Sequence, residues 1–178
     1  MYAISIDKLK EMLYNMHIII EGMAMITLYI DIDGTLISIS ESRCYYYPVA
    51  KNCLEFLQFV TQNFRCKFLS FHTRSGEMQE VYDVFKLATN SDELSLEWKA
   101  VLNKIEPVKW KTRKTQGVNF DEEFVWLDDE IDILDKAVLA KHGTLESVVN
   151  VFVNDMPYDL FRVQLILQNI LENANETS

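Results

Sequence analysis

The sequence predicts an α/β sandwich, with helices on both faces of a mostly parallel sheet. Three observations carry that expectation. Short β-rich apolar runs alternate along the chain with longer segments of helical period. Three of those runs, ending at Asp31, Ser70 and Asp128, are largely apolar, as strands covered on both faces must be. The composition is that of a globular chain: 178 residues, 49% hydrophobic and 25% charged, with 5 Gly and 3 Pro to interrupt it.

Taken in order, Ile6, Leu9, Leu13 and Met16 recur at helical spacing, so the first twenty residues read as an amphipathic helix. Residues 1–24 then form an N-terminal extension and residues 25–178 the domain proper. Met25 to Ile30 is a strand that stops at Asp31. A polar loop carrying Tyr45, Tyr46 and Tyr47 leads to Pro48, with room for a small hairpin. Val49 to Phe64 places Leu54, Leu57, Val60 and Phe64 on one helical face, and Lys67 to Phe71 reads as a second strand. Ser75 is placed to cap a helix reaching Leu87, with Met78, Val81 and Phe85 inward. Ser91 to Lys104 reads as a further helix, Val108 to Trp110 as a short strand, and Lys111 to Val118 as the start of a helix. Phe124 to Leu127 is a strong strand ending at Asp128. Ile131 to His142 is a helix closed by Gly143. Val148 to Val153 and Tyr158 to Leu171 complete the pattern as a strand and a helix.

Net charge is −10, which disfavours broad affinity for nucleic acid or an anionic membrane. The charge is uneven, however. Residues 99–114 hold six Lys or Arg against the single acid Glu106, whereas residues 121–135 hold eight acids and no base. The basic segment is suited to steering a phosphorylated substrate, and phosphorylated ends of a nucleic acid stay compatible with it. The longest apolar stretch, His17 to Ile32, is broken by Glu21, Gly22, Thr27 and Asp31, which argues against a bilayer span. Asp7, Lys8, Lys10 and Glu11 likewise interrupt any secretory signal. Three cysteines (Cys44, Cys53 and Cys66) without C-x-x-C spacing fit a reduced, cytoplasmic protein.

In open parallel sheets chemistry collects at the carboxyl ends of strands. Those ends read Ile30-Asp31-Ile32-Asp33-Gly34-Thr35, Phe68-Leu69-Ser70 and Leu127-Asp128-Asp129, with Lys109, Lys111 and Lys114 ahead of the last. Carboxylates gathered at two strand ends repel one another unless a cation joins them, and hard oxygen ligands of this kind suit Mg²⁺.

D-x-D-G-T, a strand ending in Ser, a lysine and a strand ending in paired Asp, in that order, resemble the haloacid dehalogenase-like (HAD) phosphohydrolases. The resemblance spans Leu28 to about Asp132. It implies a HAD-like, Rossmann-like three-layer sandwich. With room only for a hairpin and one helix between Asp33 and Ser70, it resembles a member without a large cap. It implies Asp31 as nucleophile, forming an aspartyl-phosphate, and Asp33 as the acid that protonates the leaving oxygen and then activates water. Ser70 would bind a phosphoryl oxygen, and Lys114, with Lys111 as the second candidate, would neutralise charge. Asp31, the Asp33 carbonyl and Asp128 would hold Mg²⁺, with Asp129 as a further ligand or supporting partner. His72 and Arg74 are candidates for substrate contact. The substrate itself is a phosphate ester of unspecified class. A catalytically silent HAD-like binding module is the competing expectation. A receiver domain fits less well, because no Asp ends a middle strand in the required order.

Overall fold

A computed structural model describes residues 25–39 and 48–176. The expected N-terminal helix and the tyrosine-rich part of the Pro48 loop lie outside the described residues. Five strands form one sheet: β1 (Thr27–Ile30), β2 (Arg65–Phe68), β3 (Glu106–Pro107), β4 (Phe124–Asp128) and β5 (Val148–Asn150). Their order is β3-β2-β1-β4-β5 and every pairing is parallel. Between them run α1 (Cys53–Asn63), α2 (Gln79–Ala88), α3 (Leu96–Leu102) and α4 (Ile133–His142), and α5 (Asp159–Glu176) follows β5. The architecture is therefore a Rossmann-like three-layer α/β sandwich, with no cap among the described residues.

Side-chain alternation divides the apolar residues between two cores. Leu28, Ile30, Phe68, Val125 and Leu127 point to one face, where they meet Phe56, Val60, Phe85, Leu102 and Leu160 of the helices. Tyr29, Phe124 and Trp126 point to the other, joining Trp110, Ile131 and Leu139 in a smaller cluster. The strands read as continuous apolar runs because both faces are covered. None of the described helices is long and apolar enough to cross a membrane.

Several elements begin elsewhere than the periodicity indicates, for local backbone reasons. Val49 pairs with Ile37 in an antiparallel bridge and Asn52 is left-handed (φ 54°), so α1 opens at Cys53 rather than Val49. Gly76 (φ 84°) interrupts the segment after Ser75, delaying α2 to Gln79. Ser95, not a residue near Ser91, caps the shorter α3 by accepting from the Trp98 N–H at 3.4 Å. β2 ends at Phe68, and β3 falls on Glu106–Pro107 rather than Val108–Trp110. Proline is tolerated there because β3 is an edge strand. Lys111 to Val118 contains only a 3₁₀ turn, Lys114–Gly117. The expected closure of α4 by Gly143 holds, with φ 70°, and Asp132 caps its other end by accepting from the Leu134 N–H at 2.7 Å.

Candidate active site

The chain runs outward from β1 to β2 and β3, then crosses back to β4 and β5 on the other side of β1. The strand order therefore reverses between β1 and β4, where parallel sheets leave a crevice at their carboxyl ends. Asp31 follows β1 and Asp128 ends β4, so the two flank that crevice. The Asp31 N–H donates to the Leu127 carbonyl at 2.9 Å, continuing the ladder one residue past β1. Its carboxyl group is buried.

Beyond Asp31 the backbone folds back on itself. The Ile32 carbonyl accepts from the amides of Leu36 (2.8 Å) and Ile37 (3.0 Å), and the Gly34 N–H donates to the Ile37 carbonyl at 2.7 Å. Gly34 has φ 73°, and a Cβ placed there would lie 1.9 Å from Asp129 Oδ2. Glycine is required twice over, for the left-handed backbone and for the approach of Asp129.

Lys114 joins the two strand ends. Its Nζ lies 2.8 Å from Asp31 Oδ1 and 2.7 Å from Asp128 Oδ2. The turn that carries it is pinned at the next residue, where Thr115 donates to the buried Asp135 carboxylate from its N–H (3.0 Å) and its hydroxyl (2.5 Å). Asp128 is held on both oxygens. Oδ2 also accepts from Trp126 Nε1 at 3.1 Å, and Oδ1 accepts from the Glu130 N–H at 3.1 Å. Oxygens of Asp31, Asp128 and Asp129 all lie within 4.8 Å of one another.

Ser70, just past β2, is fully buried. Its backbone is fixed: the N–H donates to Thr73 Oγ1 at 3.1 Å, and the carbonyl accepts from Trp110 Nε1 at 3.0 Å. Its hydroxyl has no protein partner, and neither does that of buried Thr35 in the turn after Asp31. A buried hydroxyl without a partner costs free energy unless a ligand or water completes it. Asp33 turns to the crevice rim, where His72 Nε2 sits 3.0 Å from Oδ2 and 3.2 Å from Oδ1.

The electrostatics of this crevice favour added positive charge. Burial pushes the Asp31 carboxyl up to about 7; Lys114 opposes the shift and Asp128 reinforces it. Burial likewise raises Asp128 against the pull of Lys114, and burial with the neighbouring Asp128 charge raises Asp129. Burial draws the Lys114 ammonium down, yet the two carboxylates together carry it above its ordinary value. The hydrogen bond that His72 donates to Asp33 raises His72. Three carboxyls that resist ionisation with one lysine between them fit a divalent cation, and their oxygen donors suit a hard one.

Asp31, Lys114, Asp128 and Asp129 thus come together, with Asp33 paired to His72 at the rim. Arg74 and Lys111 turn away from the carboxylates. The Arg74 guanidinium packs 5.2 Å over the Trp110 ring and donates to the Lys111 carbonyl, and the Lys111 side chain is exposed. Sequence reasoning did not find Trp126, Trp110 or Asp135. For Trp126 a signal existed: it lies two residues before Asp128 on a strand, hence on the same face, and a buried indole N–H needs an acceptor. Comparison with family models, curated proteins and solved structures finds no match for this chain.

Proposed function

We propose that the chain is a Mg²⁺-dependent phosphohydrolase of HAD type, forming an aspartyl-phosphate on Asp31. One observation carries this reading: Lys114 ties the buried Asp31 to Asp128 at the switch point, while past the end of the neighbouring strand the buried Ser70 hydroxyl has no protein partner. Asp31, Asp128, Asp129 and the Asp33 carbonyl would hold Mg²⁺, which when bound offsets the charge of the phosphoryl oxygens.

The chain's own groups then divide the work. Lys114 keeps Asp31 oriented and lowers the cost of ionising it, leaving a carboxylate oxygen to attack phosphorus. The Ser70 hydroxyl donates to a phosphoryl oxygen, which completes its hydrogen bonding. As the phosphorus–ester oxygen bond breaks, the leaving oxygen takes a proton from Asp33, whose carboxyl His72 Nε2 positions from 3.0 Å. Asp33 next removes a proton from water, whose oxygen attacks phosphorus. The bond to Asp31 breaks and inorganic phosphate departs.

The test is Mg²⁺-dependent phosphate release across a panel of phosphomonoesters. Asp31→Asn and chelator should each abolish it. Full activity in Asp31→Asn would remove the proposed nucleophile, and metal binding without turnover of any ester would leave a binding module instead.

A further inference from the structure

Beside Lys114 a cleft of about 300 Å³ opens between the turn after β2, the loop that leads to Lys114 and the first turn of α4. Its walls have a chemistry that phosphoryl transfer does not use. Phe71, the residue after Ser70, lines it and is 64% exposed. The phenyl ring meets buried Trp110 edge-on, with centroids 5.2 Å apart and planes at 69°. Arg74 stacks on the same indole, and half-exposed Leu134 faces the cleft from α4. An aromatic ring braced in this way and left in water gains free energy when another ring covers it.

Charge narrows the occupant. Arg74, Arg113 and Lys114 are matched in the lining by Glu130, Asp132 and Asp135. Lys114 is engaged by Asp31 and Asp128, Asp135 by Thr115, and Asp132 by the α4 cap. A balanced lining exerts little pull on a polyanion. Its volume is at the lower end of small-molecule pockets and suits a single ring.

We propose that this cleft receives the leaving group of the substrate, and that the group is planar, aromatic and uncharged, so that the enzyme acts on aryl or arylmethyl phosphomonoesters. This rests on reading the strand ends as a phosphoryl-transfer site. Lys114 both lines the cleft and bridges Asp31 and Asp128, and Phe71 directly follows Ser70, so the cleft adjoins the strand ends where the phosphoryl group would bind.

Phosphonates test the assignment without interference from leaving-group reactivity, because their phosphorus–carbon bond survives this chemistry. Dissociation constants for methylphosphonate, cyclohexylmethylphosphonate and benzylphosphonate are measured by calorimetry with Mg²⁺ present. Benzylphosphonate should bind about tenfold more tightly than methylphosphonate and about threefold more tightly than the cyclohexyl analogue. Phe71→Ala, an exposed substitution whose folding is verified by its melting temperature, should remove most of that advantage. Equal affinity for methyl- and benzylphosphonate overturns the leaving-group cleft while leaving the phosphate site intact. Equal affinity for the cyclohexyl and benzyl compounds overturns the aromatic assignment, and tighter binding of 4-carboxybenzylphosphonate overturns the uncharged one. If none of the phosphonates binds and Mg²⁺ leaves the melting temperature unchanged, the phosphoryl-transfer reading fails and takes this inference with it.

Discussion

Lys114→Met is the most informative single perturbation of the crevice. It keeps an unbranched side chain of similar length but removes the ammonium that lies 2.8 Å from Asp31 and 2.7 Å from Asp128. Breaking a buried ion pair from one side costs about 3–5 kcal/mol, because the charge left behind stays desolvated. For a domain of this size that is a fall in melting temperature of about 10 °C. The pH dependence gives the sharper signature. Both carboxyls already titrate above their ordinary 3.8, Asp31 at about 7, and loss of the lysine raises them further. A carboxyl raised in the folded state binds protons that the unfolded chain has lost, so stability falls as pH rises through the window from 3.8 towards the folded value. At pH 5 the Asp31 carboxyl is protonated in the folded parent as well, whereas at pH 8 the parent has released that proton and a variant that keeps it pays about 1.4 kcal/mol more for each pH unit above 7. The deficit of the variant relative to the parent should therefore be small at pH 5 and largest at pH 8. Thermal denaturation of both proteins without metal at the two pH values measures it, with the exposed Lys111→Met as control, expected within about 0.5 kcal/mol of the parent. An equal deficit at pH 5 and pH 8, or none at pH 8, would refute the electrostatic account of the crevice.

Mg²⁺ at a hundredfold excess over its dissociation constant should stabilise the parent by about 3 kcal/mol, seen as a melting-temperature rise of about 5–10 °C that Asp128→Asn removes. Gly34→Ala must adopt φ 73° and displace Asp129, so denaturant titration should show a loss of about 3 kcal/mol, together with loss of the cation-induced shift. Trp126→Phe keeps an aromatic, smaller by the pyrrole ring that carries the donor to Asp128, and calorimetry should find Mg²⁺ affinity about tenfold lower while far-ultraviolet dichroism is unchanged.

Legibility in the sequence followed the physics of each feature. β1 and β4 could be read because strands buried on both faces are apolar throughout, and an acid directly after such a run is costly without a purpose. Asp31, Asp33 and Asp128 were therefore visible as candidates. The helix starts were not, because the left-handed backbone of Asn52 and Gly76 leaves no trace in hydrophobic period. The choice between Lys111 and Lys114 was also closed to sequence, since both lie in one basic segment and only the Thr115–Asp135 pin directs one of them inward. The Trp110 contact with Ser70 crosses 40 residues and has no local pattern to announce it.

The first described strand in the chain, β1, is the middle strand of the sheet, and its partner β4 is fourth. During synthesis the nucleophile candidate thus leaves the ribosome long before Lys114 and Asp128. A nascent chain that has paired β1 with β2 holds Asp31 and Ser70 but neither the lysine nor the second carboxylate. Only when β4 docks along β1 do the cation-binding oxygens meet. The pairing most distant in sequence around β1 is also the one that assembles the crevice, so a chain cut short before Phe124 keeps the acid of β1 without the set that would make it reactive.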